Sequence, residues 1–131
     1  MVEKLTHNQA LVLSVLQQAQ APLSAYTILD KLRGKGFRAP LQVYRALEKL
    51  VTNHHVHRLE SINAFMACSH FDHGCHGLAA FAICDVCGNA AEIEDQNLSH
   101  HIQNMSEEID FTTRQTTIEI RGLCVNCSKK T

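Results

Sequence analysis

Two Cys-x-x-Cys pairs carry the most specific chemistry in this 131-residue chain: Cys84-Asp-Val-Cys87, followed at once by Gly88, and Cys124-Val-Asn-Cys127. Two intervening residues let a tight turn present both sulfurs of a pair to one ion, and the glycine supplies the backbone freedom such a turn needs. Four thiolates suit tetrahedral zinc, and a shell closed by four cysteines leaves no position for a substrate. The competing use of the same residues is a pair of disulfides, which belongs to oxidising compartments. Met1-Val2-Glu3-Lys4-Leu5 has neither the apolar core nor the cleavage site of a signal peptide, so a reducing cytoplasm and zinc are the expectation.

A second group of ligand types is looser. The chain has nine His and six Cys, and six of the His fall between His54 and His76. His57, Cys68, His70, His73, Cys75 and His76 are followed by Glu92 and the pair His100-His101. Imidazole, thiolate and carboxylate donors at four positions are compatible with tetrahedral zinc. His54 and His55 read as a polar turn and a strand start. His70, His73 and Cys75 compete with His76 for any ligand drawn from that stretch.

Positioning these groups requires elements that the hydrophobic periodicity supplies. Over residues 8–20, Leu11, Val12, Val15, Leu16 and Ala19 form one helical stripe, which Pro22 ends. Ser24 is the expected N-cap of a second helix over 25–33 that buries Ile28, Leu29 and Leu32, with Gly34 and Gly36 stopping it. Pro40 opens a third helix to about residue 53, with Val43, Ala46, Leu47, Leu50 and Val51 inward. Two strand-like runs, 55–59 and 64–68, then suit a hairpin. Three helices and a hairpin predict a winged helix-turn-helix whose third helix enters the major groove. Residues 69–77 read as a polar hinge. Beyond it, strands at 78–83, 90–93 and 116–120 and a helix at 98–109 predict a small α/β unit. The fold class is therefore α+β, with a domain at 1–68, the hinge, and a domain at 78–131. His57 and Cys68 fall on the wing strands and Glu92 on a strand of the rear unit, so a metal held by this group would tie wing, hinge and rear together.

Charge divides along the same line. Residues 1–60 hold eight basic and four acidic residues, a net of +4, and the remainder is net −5. A basic front half suits a polyanion. No apolar run approaches the roughly 20 residues that span a bilayer. No His-Glu-x-x-His is present, and the closed sulfur shell argues against an enzyme or a small-molecule substrate.

From Leu5 to Cys127 the chain resembles the ferric uptake regulator family and, within it, the zinc-sensing subgroup. The resemblance rests on Ser24-Ala-Tyr26-Thr-Ile-Leu29, Val43-Tyr-Arg-Ala-Leu47, Val56-His-Arg-Leu-Glu-Ser61 and Cys84-Asp-Val-Cys87-Gly88, with both Cys pairs in this order. It implies a DNA-binding winged helix, a C-terminal dimerisation domain and metal-dependent repression. It also implies a regulatory zinc on His57, Cys68, His76 and Glu92 besides the structural one on Cys84, Cys87, Cys124 and Cys127, hence two Zn2+ per chain. The His-x-His run that iron, manganese and peroxide sensors carry before the first Cys pair is replaced by Leu78-Ala-Ala-Phe-Ala-Ile83. Three departures bear on DNA affinity: little chain precedes Leu5, Leu5-Thr-His-Asn-Gln9 stands where the family has Leu-Thr-Pro-x-Arg, and Gln42 replaces a Thr.

On this reading the partners are double-stranded operator DNA and a second copy of the chain, and the genes controlled are those of zinc uptake. Arg45 is the expected base reader, since an arginine fork bonds a purine edge, commonly guanine. Tyr44, Tyr26, Gln42, Lys49 and Arg38 are further expected DNA contacts. An iron- or manganese-responsive regulator of the same family, and a zinc-binding module without DNA binding, are the alternatives.

Overall fold

The computed structural model describes residues 4–19, 21–68 and 78–129. The chain forms two compact units, Met1–Phe71 and Asp72–Thr131.

In the first unit, α1 (His7–Gln18), α2 (Ala25–Leu32) and α3 (Pro40–Thr52) precede a hairpin of β1 (Val56–Leu59) and β2 (Ala64–Ala67). Each boundary has a local cause. Thr6 and Gln9 form a reciprocal capping box at α1, each side chain bonding the other's backbone N–H at 3.2 and 3.1 Å. Ser24 Oγ accepts the N–H of Thr27 at 3.2 Å and caps α2 as expected. After a 3-10 turn at Arg33–Lys35, Gly36 takes φ 100°, a left-handed value open to glycine. Pro40 occupies the first turn of α3, where no N–H is needed. At the far end His54 N–H bonds Val51 O and His55 N–H bonds Leu50 O, a Schellman closure with His54 at φ 65°.

The stripes read from the sequence meet in one core. Val12 and Leu16 of α1, Ile28, Leu29 and Leu32 of α2, and Val43, Ala46, Leu47 and Leu50 of α3 are all buried, joined by Phe37, Val56 and Phe65. Leu11, Val15 and Val51 pack at its margin. A short bridge between Leu23 and Phe65, closed by two backbone bonds of 2.9 and 2.8 Å, ties the α1–α2 link to the hairpin.

The second unit is a three-stranded sheet in the order β4-β3-β5: β3 (Leu78–Cys84), β4 (Ala90–Ile93) and β5 (Thr116–Gly122). The strand β4 runs antiparallel to β3, whereas β5 runs parallel to it after the crossover through α4 (Gln96–Glu108). As the central strand, β3 is an unbroken apolar run and supplies Ala79, Ala80, Phe81, Ile83 and Cys84 to the interior. Asp95 caps α4 through the N–H groups of Asn97 and Leu98, which starts the helix two residues before its expected beginning. A last turn of helix, α5 (Val125–Ser128), was not foreseen because four residues are too short to show periodicity.

Candidate metal centre and DNA-facing surface

Parallel pairing explains how two cysteine pairs some 40 residues apart meet. In the β3–β5 register Cys84 lies opposite Gly122, so both strands end at the same edge of the sheet. The first pair starts on the last residue of β3 and the second two residues beyond β5. Asp85 N–H bonds Gly122 O at 2.8 Å, and Arg121 bonds the Asp85 carboxylate at 2.8 Å, which clips the two turns together. Gly88, at φ 77°, closes the first turn by donating to Cys84 O at 3.0 Å. Ser128 N–H does the same for Cys124 O at 2.9 Å in the second.

All four sulfurs lie within 4.8 Å of one another, and Cys87 Sγ is 3.8 Å from Cys124 Sγ. A disulfide would need about 2.05 Å. A tetrahedron with zinc–sulfur bonds of about 2.3 Å has an edge of about 3.8 Å. The donor set therefore fits zinc. Protonation agrees: the N–H of Cys87, then those of Cys124 and Val86, hold the Cys84 thiol down to about 6. Hydrogen bonding to the Cys124 and then the Cys84 sulfur pushes Cys127 up to about 12. Four crowded sulfurs do not all ionise without a counter-charge, and a dication supplies it.

Of the second ligand group, the hairpin brings His57 and Cys68 together within the first unit. The register pairs His57 with Met66, and Cys68 N–H bonds His55 O at 2.9 Å one step further along. His55, His57 and Cys68 consequently share a face of the hairpin, the last two as diagonal neighbours. Their ligand atoms lie within 4.8 Å and His57 is 9% exposed, but the Cys68 sulfur is held in a disulfide and must be reduced before it can ligate a metal. Burial, then the charge of His54, holds the His55 imidazole below its ordinary range, a neighbour that its reading as a mere strand start overlooked. Glu92 stands on β4, opposite Phe81 in the second unit. His76, with its rivals His70, His73 and Cys75, lies outside the described residues.

The outward side of α3 carries Leu41, Arg45, Glu48, Lys49 and Thr52 in helical order, all exposed. Among the described residues the side chains of Arg45, Lys49 and Arg38 make no hydrogen bond or ion pair, so their charges are available to a polyanion. Tyr44 is half-buried against the core, whereas Tyr26 at the start of α2 is 62% exposed. Gln42 is engaged: its Oε1 accepts the N–H groups of Arg38 and Ala39 at 2.7 and 3.1 Å. Leu41, 56% exposed one turn ahead of Arg45, escaped the sequence reading, although its spacing places it on the same stripe.

A winged helix-turn-helix and a small α/β unit closed by four clustered cysteines define a metal-binding regulator architecture. The chain belongs to the ferric uptake regulator family, whose model matches residues 2–121. It is 35% identical over 125 residues to the zinc uptake regulation protein of Escherichia coli K12, covering 95% of this chain and 72% of that protein. Its structure is similar to the crystal structure of holo XcZur, with a TM-score of 0.87 and 37% identity over 98% of this chain and 89% of that one. It is similar also to a zinc uptake regulator complexed with zinc and DNA, with a TM-score of 0.88 and 33% identity over 97% and 85% of the two chains.

Proposed function

We propose that this chain is a zinc-responsive transcriptional repressor that binds operator DNA as a homodimer in the cytoplasm when zinc-loaded, and that it controls zinc-uptake genes. The observation that carries the reading is the juxtaposition of His57 and Cys68, diagonal neighbours on one face of the wing. Once its disulfide is reduced, Cys68 offers a thiolate beside an imidazole, a pair that favours zinc over the harder manganese and iron(II) ions. It sits on the element that neighbours the DNA-facing helix. Relatives named for zinc uptake regulation, one solved with zinc and DNA, support the same assignment.

Two zinc ions per chain are proposed. Cys84, Cys87, Cys124 and Cys127 hold the structural one, which the closed sulfur shell makes inert to substrate. His57, Cys68, His76 and Glu92 hold the regulatory one. Because these ligands come from the wing, the hinge and β4, binding restricts how the wing and rear unit move. A dimer restrained in this way presents two α3 helices at one spacing, and that spacing selects a palindromic operator. Switching such an equilibrium from 1:99 to 99:1 takes about 5.5 kcal/mol of differential binding. Zinc ligation in small peptides reaches about 10–16 kcal/mol, so the supply is sufficient.

Arg45 is proposed to read a base edge. Lys49, Arg38, Tyr26 and Tyr44 are proposed to place α3 on the duplex, and Gln42 to contact it beside Arg45. The test is a fluorescence-anisotropy titration of the full chain against operator duplex at several free zinc concentrations. Affinity is expected to rise at least a hundredfold with zinc and to fall steeply with salt. Binding that ignores zinc, or that answers equally to manganese, overturns the reading.

A further inference from the structure

The start of α3 has a feature that decides what it can recognise. Two backbone N–H groups, of Arg38 and Ala39, converge on one atom of the Gln42 carboxamide at 2.7 and 3.1 Å. Only the oxygen of a carboxamide accepts hydrogen bonds, so the converging donors fix which end faces the chain. A carbonyl oxygen has two lone pairs, and both are engaged. The amide nitrogen makes no hydrogen bond among the described residues and keeps two N–H donors. Gln42 lines the same open cleft as Arg45 and Lys49, of about 570 Å³, bounded across from α3 by Thr6 and Gln9.

We infer that Gln42 is a donor-only specificity residue that favours guanine or thymine edges in the major groove and selects against adenine. The inference rests on the DNA-binding reading above and adds to it. Glutamine ordinarily recognises adenine with both ends at once, the oxygen accepting from N6 and the nitrogen donating to N7. Here the oxygen is committed to the helix start, so the first half of that pair cannot form. What remains matches the adjacent acceptors O6 and N7 of guanine or O4 of thymine, whereas adenine offers N7 alone beside an amino group that the two donors oppose. Residues at the beginning of a recognition helix are those that reach base edges, and Gln42 stands one turn ahead of Arg45 and Ala46. The amino groups of adenine N6 and cytosine N4 find no acceptor on it.

The experiment is selection of bound duplexes from a random library by the full zinc-loaded chain, run beside Gln42→Glu and Gln42→Met. Glutamate keeps an oxygen for the two N–H groups and replaces the donor with an acceptor. At one base pair of each half-site the unsubstituted chain is expected to prefer guanine or thymine by about fivefold or more, the lower end of one good base contact. In Gln42→Glu that preference shifts to cytosine or adenine while other positions hold, and in Gln42→Met it disappears. Adenine selected at the Gln42-dependent position, or identical profiles for all three proteins, overturns the inference alone. A library from which the unsubstituted chain enriches nothing overturns the DNA-binding reading and this inference with it.

Discussion

At the scale of single residues, chemistry is set by what each side chain is already bound to. Arg45 and Lys49 are both exposed cations on α3, yet their removal should differ in kind. Arg45→Ala is expected to weaken operator binding by about 1–3 kcal/mol and to relax preference at one base pair. Lys49→Ala should weaken all sequences alike and lower the salt slope by about one, both read from anisotropy titrations at graded salt. Cys68→Ser separates the two proposed metal sites. Zinc content should fall from two ions to one per chain, and the zinc-induced gain in affinity should drop below about tenfold, against the roughly 10⁴-fold of a full switch. A mutant that retains two zincs and its response sinks the assignment of Cys68. The four cysteines of the rear site were legible because spacing alone makes a chelating turn. The neighbouring of His57 and Cys68 was less so. It depends on a hairpin register set by residues 60–63, and a slip of one residue would put them on opposite faces.

At the scale of elements, boundaries follow caps, and two of these carry a left-handed residue other than glycine, His54 after α3 and Asp110 after α4. His54 holds the C′ position of α3 at φ 65°, a left-handed value at which a side chain carries a penalty of about 1–2 kcal/mol and glycine almost none. His54→Gly is therefore expected to stabilise the chain by about 1 kcal/mol, seen as a rise of several degrees in the calorimetric melting temperature. An unchanged or lowered melting temperature would show that the imidazole contributes more than the backbone loses. The three helices of the first unit were legible because their apolar residues recur every three or four positions, and apart from Ala25 the buried residues of α1 to α3 fall within those stripes, with Leu11, Val15 and Val51 left at the margin. The N-caps Thr6 and Asp95 were equally present in the sequence. Each precedes its first apolar residue by several positions, so a reading keyed to apolar residues starts both helices late. Sheet order was not legible at all. Apolar alternation identifies β5 as a strand, but its parallel partnership with β3 comes from the crossover through α4, which no local pattern encodes.

At the scale of the whole molecule, the two units are stabilised by different means. The first has a core drawn from three helices and a hairpin, while among the described residues of the second every buried apolar one lies on β3 and none on α4. A unit with so little interior needs metal, partner, or both. Stripping zinc with a tight chelator under reducing conditions should therefore split thermal unfolding into two transitions, with the second unit melting first and the far-ultraviolet helix signal of α1 to α3 persisting. A single shared transition in the chelated chain would show that the rear stands without its sulfur clamp. The partner is argued from what stays exposed. Ile109, Phe111 and Ile120 are 74, 61 and 52% exposed in the second unit, and Met105 of α4 is half exposed. So many large apolar side chains left exposed in so small a unit point to an interaction surface, and the proposed two-fold operator calls for a second copy. Introducing charge at Met105 and Ile109, as Met105→Asp with Ile109→Asp, should convert the zinc-loaded protein to a monomer by sedimentation velocity. Both positions lie outside the sulfur clamp and outside α3, so zinc at the four cysteines and the fold of the first unit should survive. Operator affinity should nevertheless fall by orders of magnitude, because a monomer engages only one half-site. If the doubly charged variant stays dimeric, the surface is misassigned; if it is monomeric yet binds as tightly as before, pairing is not how α3 finds its operator.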